Sequence, residues 1–305
     1  MNFFKKQLQI DFMALRFKAI VFSIVLSIIS LLALIINGLH LSLDFTGGTQ
    51  VRLNHLNTTV EALRDDIEHQ YGRDVVIQRL GTGDQFIIRI GGKTEQSQQK
   101  AIKTYFIKRF GADHFTGITF IGPQVGETLL LNGIMATVIA LLTTMIYVMV
   151  RFEYRFGFSA MLALLHDPIV IIGCFALFQL EFDLNSLAAL LTILGYSLND
   201  TIVVYDRVKE NFIQSKRLSP DEVVNLSINQ TLSRTIMTSG LTLLVVISLL
   251  IFGGDQLRNF ALSLTIGILI GTYSSIYIAG SISVMLGLDR DALLPPNRDY
   301  LKQIP

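Results

Sequence analysis

Charge and cysteine are the scarcest features of this 305-residue sequence, and tryptophan is absent altogether. Charged residues make up 16% of the chain, compared with roughly 25% in an ordinary soluble domain. The single cysteine, Cys174, excludes an internal disulfide framework and a cysteine-based metal site. A net charge of +1 argues against nucleic acid as the main partner. No H-E-x-x-H, EF-hand or G-x-S-x-G motif occurs and the five histidines are scattered, so we expect no metal, no cofactor and no hydrolytic chemistry.

Long apolar runs are abundant, and with a mean hydropathy of +0.52 they predict a polytopic α-helical membrane protein. A helix of about 20 apolar residues crosses a bilayer. By that measure we predict six transmembrane helices, at residues 18–38, 128–150, 157–180, 185–205, 235–253 and 259–286. The first has too long an apolar core, and no suitable cleavage site follows it, so we expect it to be retained rather than removed as a signal peptide.

The distribution of lysine and arginine predicts the orientation of the chain. The segment 1–17, the loop 206–234 and the tail 287–305 are rich in basic residues, whereas the two short loops on the other side hold only Arg258. The positive-inside rule therefore places both termini in the cytoplasm and the segment 39–127 on the periplasmic side. Within the cytoplasmic loop we predict an amphipathic helix that begins with a serine cap and a proline.

The periplasmic segment has the alternation of a small α+β domain. The stretches TQVRLN, VVIQRL, QFIIRIG and FTGITFIG are predicted strands, and the second and third flank the hairpin signal GTGD. Two stretches with apolar residues at helical spacing end at Gly72 and Gly111. The order βαββαβ predicts a ferredoxin-like domain inserted between transmembrane helices 1 and 2.

The stretch SLDFTGGTQ, residues 42–50, joins the first transmembrane helix to this domain. Gly47 and Gly48 permit a sharp turn of the backbone, and Asp44, followed by Phe45, is a candidate to cap it. We therefore expect a structural turn close to the membrane surface.

Asp200 lies inside the fourth apolar run, next to Tyr196, Ser197 and Asn199. A carboxylate at such a depth costs roughly 2.5–3.5 kcal/mol, and such residues usually face a bundle interior or water. One interpretation is a proton-coupling site in which Arg234, at the start of the fifth run, pairs with Asp200 until a proton breaks the pair. The other is a static pair, or a carboxylate close to the cytoplasmic boundary with Arg234 as a simple anchor.

Two further features lie inside predicted helices. His166 and Asp167, near the middle of the third run, are either a possible proton relay or a mutually satisfied pair, and Pro168 is expected to kink the helix there. Gly267 and Gly271 belong to a row of small residues repeated every four positions in the sixth run, which predicts close helix packing.

These features together resemble the SecD/SecF family of protein-translocase subunits, within the resistance–nodulation–division (RND) superfamily. The resemblance rests on the membrane layout, on LDFTGGT and GPQVGE at the ends of the exported domain, on LLHD in the third run, and above all on GYSLNDTIVVYDRVKEN. It implies a multi-pass protein of the bacterial inner membrane that is not an enzyme and uses the proton-motive force to promote late steps of preprotein translocation. It implies SecD, SecYEG and SecA as partners, YajC as a further associate, and contact between the exported domain and unfolded preprotein.

The resemblance also implies roles for individual residues. In the family, an acid in the fourth span and an arginine at the start of the fifth matter for proton conduction, and the motif contexts place those roles on Asp200 and Arg234. Asp44, Gly47 and Gly48 match the family's first motif, to which a structural role is expected. The sequence departs from expectation after His-Asp, where a proline replaces an ordinary apolar residue.

Two other functions stay open. A half-size RND-type transporter would move small molecules or lipids in exchange for protons. However, six spans with one small exported domain make only half of the usual twelve-span, two-domain arrangement. A passive scaffold would merely stabilise a partner, and it predicts that Asp200 is dispensable.

Overall fold

The structure, a computed structural model, describes residues 10–54, 56, 58–72, 75–80, 85–91, 98–215 and 217–289. The chain divides into two compact units. The helical unit comprises Met1–Leu39, Thr137–Leu180 and Asn185–Pro305, and the sheet unit comprises His40–Ala136 and Glu181–Leu184.

Ten α-helices occur in the described part of the chain, and six helical segments among them are long and apolar enough to cross a membrane. The helices are α1 (Arg16–Asn37), α2 (Leu43–Thr46), α3 (Val60–Tyr71), α4 (Gln98–Phe110), α5 (Pro123–Arg151), α6 (Tyr154–Leu177), α7 (Leu184–Gln214), α8 (Pro220–Phe252), α9 (Gly254–Ser274) and α10 (Gly280–Met285). A π-helical turn, Ser275–Ala279, joins α9 to α10, and together these form the sixth candidate span. The predicted class of six-helix membrane protein is confirmed.

Burial separates an inner helix of the helical unit from its outer ones. Large apolar side chains project outward from α1, α5 and α8; Ile35, Val150 and Phe252 are 79%, 83% and 84% exposed. In contrast, Phe156 and Ile171 of α6 are fully buried, because α6 packs against α1, α9 and α10. Lipid tails are as apolar as these outward side chains, so such a surface is stable in a bilayer although it would not be in water.

α7 and α8 extend beyond the predicted spans and occupy most of the interval 206–234. α8 begins with a capping box, in which Ser219 Oγ accepts the Glu222 N–H and the Glu222 carboxylate accepts the Ser219 N–H. The amphipathic stretch is therefore the first part of α8 rather than a separate helix. Val223, Val224, Ile228 and Leu232 of this stretch belong to the core of the helical unit. They share that core with Phe12 and with Val208 and Phe212 of α7.

The sheet unit has four strands: β1 (Gly48–Leu53), β2 (Val75–Leu80), β3 (Gln85–Ile90) and β4 (Phe115–Ile121). They pair in the order β2-β3-β1-β4 and every pair is antiparallel, with Val51 opposite both Ile88 and Ile118. With α3 after β1 and α4 after β3, this is the predicted ferredoxin-like arrangement. Val51 and Ile88 share a core with Ile67 of α3 and Phe106 of α4. The predicted turn GTGD, residues 81–84, lies outside the described residues.

Candidate functional site

Asp200 of α7 is buried in the helical unit, with one carboxylate oxygen that has no hydrogen-bond partner among the described residues. Its side chain is 4% exposed, and Oδ2 has no hydrogen bond in the described part of the chain. Arg234 on α8 is exposed and forms no ion pair with Asp200 within 4.0 Å, although its charge acts on the carboxylate through space. The static ion pair considered from the sequence is therefore not the arrangement in this structure. A buried ionisable side chain without a partner is typical of a functional site.

Asp167 of α6 lies where three helices meet, and it is fully buried. Its Oδ2 accepts hydrogen bonds from Ser197 Oγ of α7 at 2.7 Å and from Ser274 Oγ of α9 at 3.0 Å. Its Oδ1 lies 3.1 Å from Nδ1 of His166, whose Nε2 is buried without a partner in the described part of the chain. We call His166, Asp167, Ser197 and Ser274 the polar cluster. α6 continues through Pro168, which has no N–H to donate within the helix.

The polar cluster brings together residues from the third and fourth predicted spans, which form separate candidate sites in the sequence. Ser197, from the fourth predicted span, bonds to Asp167, from the third. Asp200 follows Ser197 by three residues, so both lie on one face of α7. Asn199 is exposed and lies outside the polar cluster. The structure therefore places two buried carboxylates close to the same face of α7.

Tyr196 turns toward a different set of hydroxyl groups. Its hydroxyl donates to Ser239 Oγ of α8 at 3.3 Å, and Ser239 Oγ lies 2.8 Å from Thr272 Oγ1 of α9. Tyr196 thus helps to hold α7, α8 and α9 together, and among the described residues it forms no hydrogen bond with Asp200. It has no contact with the polar cluster among the described hydrogen bonds.

Gly271 and Gly267 set how closely α9 lies to α7. A Cβ atom on Gly271 would lie 3.2 Å from Ser197 Cβ and 3.5 Å from Asp167 Oδ2. A Cβ atom on Gly267 would lie 2.0 Å from Cδ1 of Ile193. A side chain at position 271 would therefore crowd Ser197 and the polar cluster, and one at position 267 would require the Ile193 side chain or α9 to move.

Two polar residues of the helical unit were not predicted from the sequence. Ser274 lies in the stretch TYSS, next to Ser275, but outside the row of small residues repeated every four positions, and nothing local distinguishes it from its polar neighbours. Tyr205 is fully buried, with its hydroxyl 2.7 Å from Ser159 Oγ and 3.4 Å from the carbonyl oxygen of Ala279. Ser274 and Ala279 stand at the two ends of the π-helical turn, a rare geometry that is frequent at functional sites.

The two glycines of the motif in the sheet unit are required by geometry. Gly47 and Gly48 have φ values of +70° and +131°, which residues with side chains rarely adopt. A Cβ atom on Gly47 would lie 2.7 Å from Cα of Pro123, and one on Gly48 would lie 2.7 Å from the carbonyl oxygen of Ile90. Close backbone packing thus accounts for both glycines.

Asp44 has a different role from the one suggested by the sequence. Ser42, not Asp44, caps the short helix α2, because Ser42 Oγ accepts the Asp44 N–H at 3.2 Å. The Asp44 carboxylate instead accepts the N–H of Leu184, the first residue of α7, at 3.1 Å. Phe45 stacks beside Phe182 with ring centroids 6.1 Å apart. Within the sheet unit, Asp44 therefore caps α7 from a distant part of the chain.

We expect Asp44→Ala to lower the free energy of unfolding by about 1 kcal/mol, because the first N–H of α7 loses its acceptor. Asp44→Asn keeps an acceptor oxygen and should lose clearly less. The midpoint of thermal unfolding of the purified chain in detergent measures both. Equal losses in the two variants would show that the cap does not stabilise the protein.

Arg89 of β3 and Glu181 form an ion pair inside the sheet unit, with side chains 13% and 11% exposed. Burial raises the pKa of Glu181, while Arg89 acts in the opposite direction. Since the pKa stays raised, the cost of burying the carboxylate outweighs the attraction of its partner. The pair is therefore better explained as fixing the position of Glu181 than as adding stability.

No three His, Cys, Asp or Glu side chains come together among the described residues as a metal site would require. The polar cluster consists of carboxyl, hydroxyl and imidazole groups, which can hold, orient and exchange a proton.

Two family models match the chain. The model described as "Protein export membrane protein SecD/SecF, C-terminal" matches residues 102–289, more than half of the chain, and this range contains Asp167, Asp200 and Arg234. The model described as "SecD/SecF GG Motif" matches residues 32–54, which contain Asp44 and both motif glycines.

Curated relatives match along nearly the whole chain. The protein translocase subunit SecF of Vibrio alginolyticus is 39% identical over 301 residues, covering 96% of this chain and 94% of the relative. The subunit SecF of Pseudomonas aeruginosa is 38% identical over 289 residues, covering 94% of each.

Two solved structures are similar in fold and in sequence. The crystal structure of SecDF, a translocon-associated membrane protein from Thermus thermophilus, has a TM-score of 0.84 at 36% identity. A crystal structure of SecDF in a super-membrane-facing form has a TM-score of 0.69 at 37% identity. Both matches cover 92% of this chain, which spans only 39% of either SecDF chain.

Proposed function

Because the chain belongs to the SecD/SecF family of protein export membrane proteins, we propose that it is a SecF-like subunit of the Sec machinery that acts with SecD. It uses the proton-motive force to promote late steps of preprotein translocation across the bacterial inner membrane. It works as a proton-driven translocation subunit and not as an enzyme, in keeping with relatives that are named translocase subunits.

One observation carries the proposal of proton coupling: the helical unit buries two carboxyl groups on neighbouring helices. Asp200 Oδ2 has no hydrogen-bond partner among the residues that the structure describes, and Asp167 is held by hydroxyl groups from two other helices. Carboxyl groups at membrane depth usually mark ion or proton pathways. One elementary charge that crosses 100 mV supplies about 2.3 kcal/mol, so a few protons suffice to move a small domain.

The proposed orientation and partners follow from the charges and from the length of the SecDF relative. Basic residues favour cytoplasmic N- and C-termini, which leaves the sheet unit on the periplasmic side to contact emerging, unfolded preprotein. The SecDF chain is much longer than the part this chain spans, and we propose that SecD supplies the counterpart. SecYEG, SecA and YajC are further proposed partners, and the bilayer surrounds the helical unit.

A small-molecule or lipid transporter of the RND type is the less favoured alternative, since the relatives are named as subunits of a protein translocase. A passive scaffold is also less favoured, because it gives no reason to bury a carboxylate whose Oδ2 lacks a hydrogen bond in the described part of the chain.

The proposal is tested in bacterial cells depleted of their own SecF and supplied with this chain. We expect the chain to accelerate completion of export of a secreted reporter, to do so only while the membrane potential is present, and to co-purify with SecD. Acceleration that persists after an ionophore collapses the potential would contradict proton coupling. Failure to retain SecD would favour the transporter.

A further inference from the structure

We propose that Ser274 is a positioning residue that serves Asp167 in both protonation states of its carboxyl group, as donor to the carboxylate and as acceptor from the carboxylic acid. The inference rests on the proposed function, since it makes Asp167 a second site where a proton is held. It assigns a role to a residue that neither the sequence motifs nor the family resemblance singled out.

The geometry around Ser274 Oγ offers two alternative acceptors. Asp167 Oδ2 lies 3.0 Å away, and the carbonyl oxygen of Gly271, one turn earlier on α9, lies 3.1 Å away. A serine hydroxyl carries one hydrogen and two lone pairs, so it donates one full hydrogen bond at a time. The Ser274 hydroxyl therefore points either at the carboxylate or at its own helix.

These two orientations match the two states of Asp167. When the carboxyl group is ionised, the Ser274 hydroxyl donates to Oδ2. When a proton binds Oδ2, the hydroxyl rotates to the Gly271 carbonyl, and its oxygen accepts the hydrogen bond of the new carboxyl O–H. Ser274 keeps its own hydrogen throughout, so the carboxyl group gains or loses one proton while only a hydroxyl rotates.

Ser197 differs from Ser274 in this respect. Its Oγ donates to Asp167 Oδ2 at 2.7 Å and has no second acceptor among the described hydrogen bonds. Ser197 thus favours the ionised carboxyl group, whereas Ser274 can satisfy either state. Two serines on one oxygen would be redundant if their task were only to hold a permanent carboxylate.

Because Asp167 is buried, it needs a hydrogen-bond partner in both its ionised and its protonated state. Asp167 and Ser274 are both fully buried, and a buried polar group that loses its hydrogen bond is costly. The titratable groups around them are His166 on α6, Asp200 beyond Ser197 on α7, and Tyr273 on α9, whose hydroxyl donates to the carbonyl oxygen of Ala19. His166 contacts Oδ1 of Asp167, and among the described residues the hydrogen bonds at Oδ2 come from Ser197 and Ser274, so neither His166 nor Asp200 satisfies Oδ2.

The test compares three single substitutions on α9 in the complemented cells described above. We expect Ser274→Ala to reduce the potential-dependent acceleration of export about tenfold, the usual scale for a lost hydrogen bond to a charged group. Ser274→Thr keeps a hydroxyl and should retain most of the acceleration. Ser263→Ala is the matched control, because Ser263 is equally buried and its Oγ has no hydrogen-bond partner in the described chain.

A spectroscopic measurement separates positioning from simple packing. In purified protein in liposomes, infrared difference spectra recorded on acidification should contain a protonated-carboxyl band that is absent from Asp167→Asn. In Ser274→Ala this band should move to higher wavenumber, because the carboxylic acid has lost its acceptor. An unchanged band in Ser274→Ala overturns the proposal, as does an equal loss of export in Ser263→Ala or Ser274→Thr at normal protein levels.

The outcome is distinguishable from failure of the proposed function. If Asp200→Asn abolishes the dependence on potential while Ser274→Ala leaves it intact, only the role of Ser274 is wrong. If Asp200→Asn itself keeps the dependence, proton coupling through this site is wrong.

Discussion

Export should lose its acceleration by the membrane potential when Asp200 is replaced by asparagine, while the amount of protein in the membrane stays unchanged. Asparagine has nearly the shape of aspartate, but its amide group cannot take up and release a proton at physiological pH. Because Oδ2 of Asp200 has no hydrogen bond in the described chain, little stabilising structure is lost. Asparagine also avoids the cost of burying an ionised carboxylate, so the amount of protein should not fall.

The measurement is completion of export of a secreted reporter, followed with and without an ionophore in cells depleted of their own SecF. Asp206→Asn is the matched control, since it makes the same chemical change on the same helix. Asp206 is exposed and pairs with Arg151 at 3.4 Å, and exposed pairs contribute only about 0–1 kcal/mol. An Asp200→Asn strain that still responds fully to the potential would favour the scaffold over the proton-coupled subunit.

A second large effect is expected from Gly173→Ala, which should destabilise the helical unit by about 1–3 kcal/mol, as overpacked cores typically do. Gly173 of α6 lies against α1, and a Cβ atom there would lie 2.1 Å from Cβ and 2.6 Å from Cα of Ser30. A Cα atom cannot rotate away as the end of a side chain can, so α1 and α6 would have to separate.

The midpoint of thermal unfolding in detergent and the protein level in membranes report this loss. Gly195→Ala on α7 is the control, because a Cβ atom there meets nothing within 4 Å. In that open position alanine should stabilise the helix by up to about 1 kcal/mol, since glycine is a poor helix former. The two glycine substitutions should thus have opposite signs, and a loss of similar size in both would contradict the close packing of α1 on α6.

The predicted helices and strands agree well with the structure, but α7 and α8 continue beyond the predicted fourth and fifth spans. The sequence predicts a loop with an amphipathic helix at 206–234, because charged residues there end the apolar run. In the structure α7 continues to Gln214 and α8 starts at Pro220, because buried side chains such as Val208 and Val224 pack together there. Hydropathy reports where a bilayer begins, whereas the length of a helix also depends on what it packs against.

Asp44 and Ser274 show that single long-range contacts, like the lengths of α7 and α8, could not be predicted from local sequence. The sequence predicts Asp44 to be a polar residue in a turn. In the structure its carboxylate accepts a hydrogen bond from the N–H of Leu184, which lies 140 positions further along the chain. Ser274 carried no local signal at all, although it bonds to a carboxylate 107 positions away.

The sequence by itself determined the six apolar helices, the βαββαβ order of the exported domain and the presence of buried acids, because each depends on residue type and local spacing. Only the tertiary structure decided which hydroxyl groups reach Asp167, that Asp200 stands apart from Arg234, and that Asn199 faces outward. These depend on how each helix is rotated about its axis and how closely it approaches its neighbours. Both are set by distant contacts, such as that of Gly271 with Ser197, which no local pattern encodes.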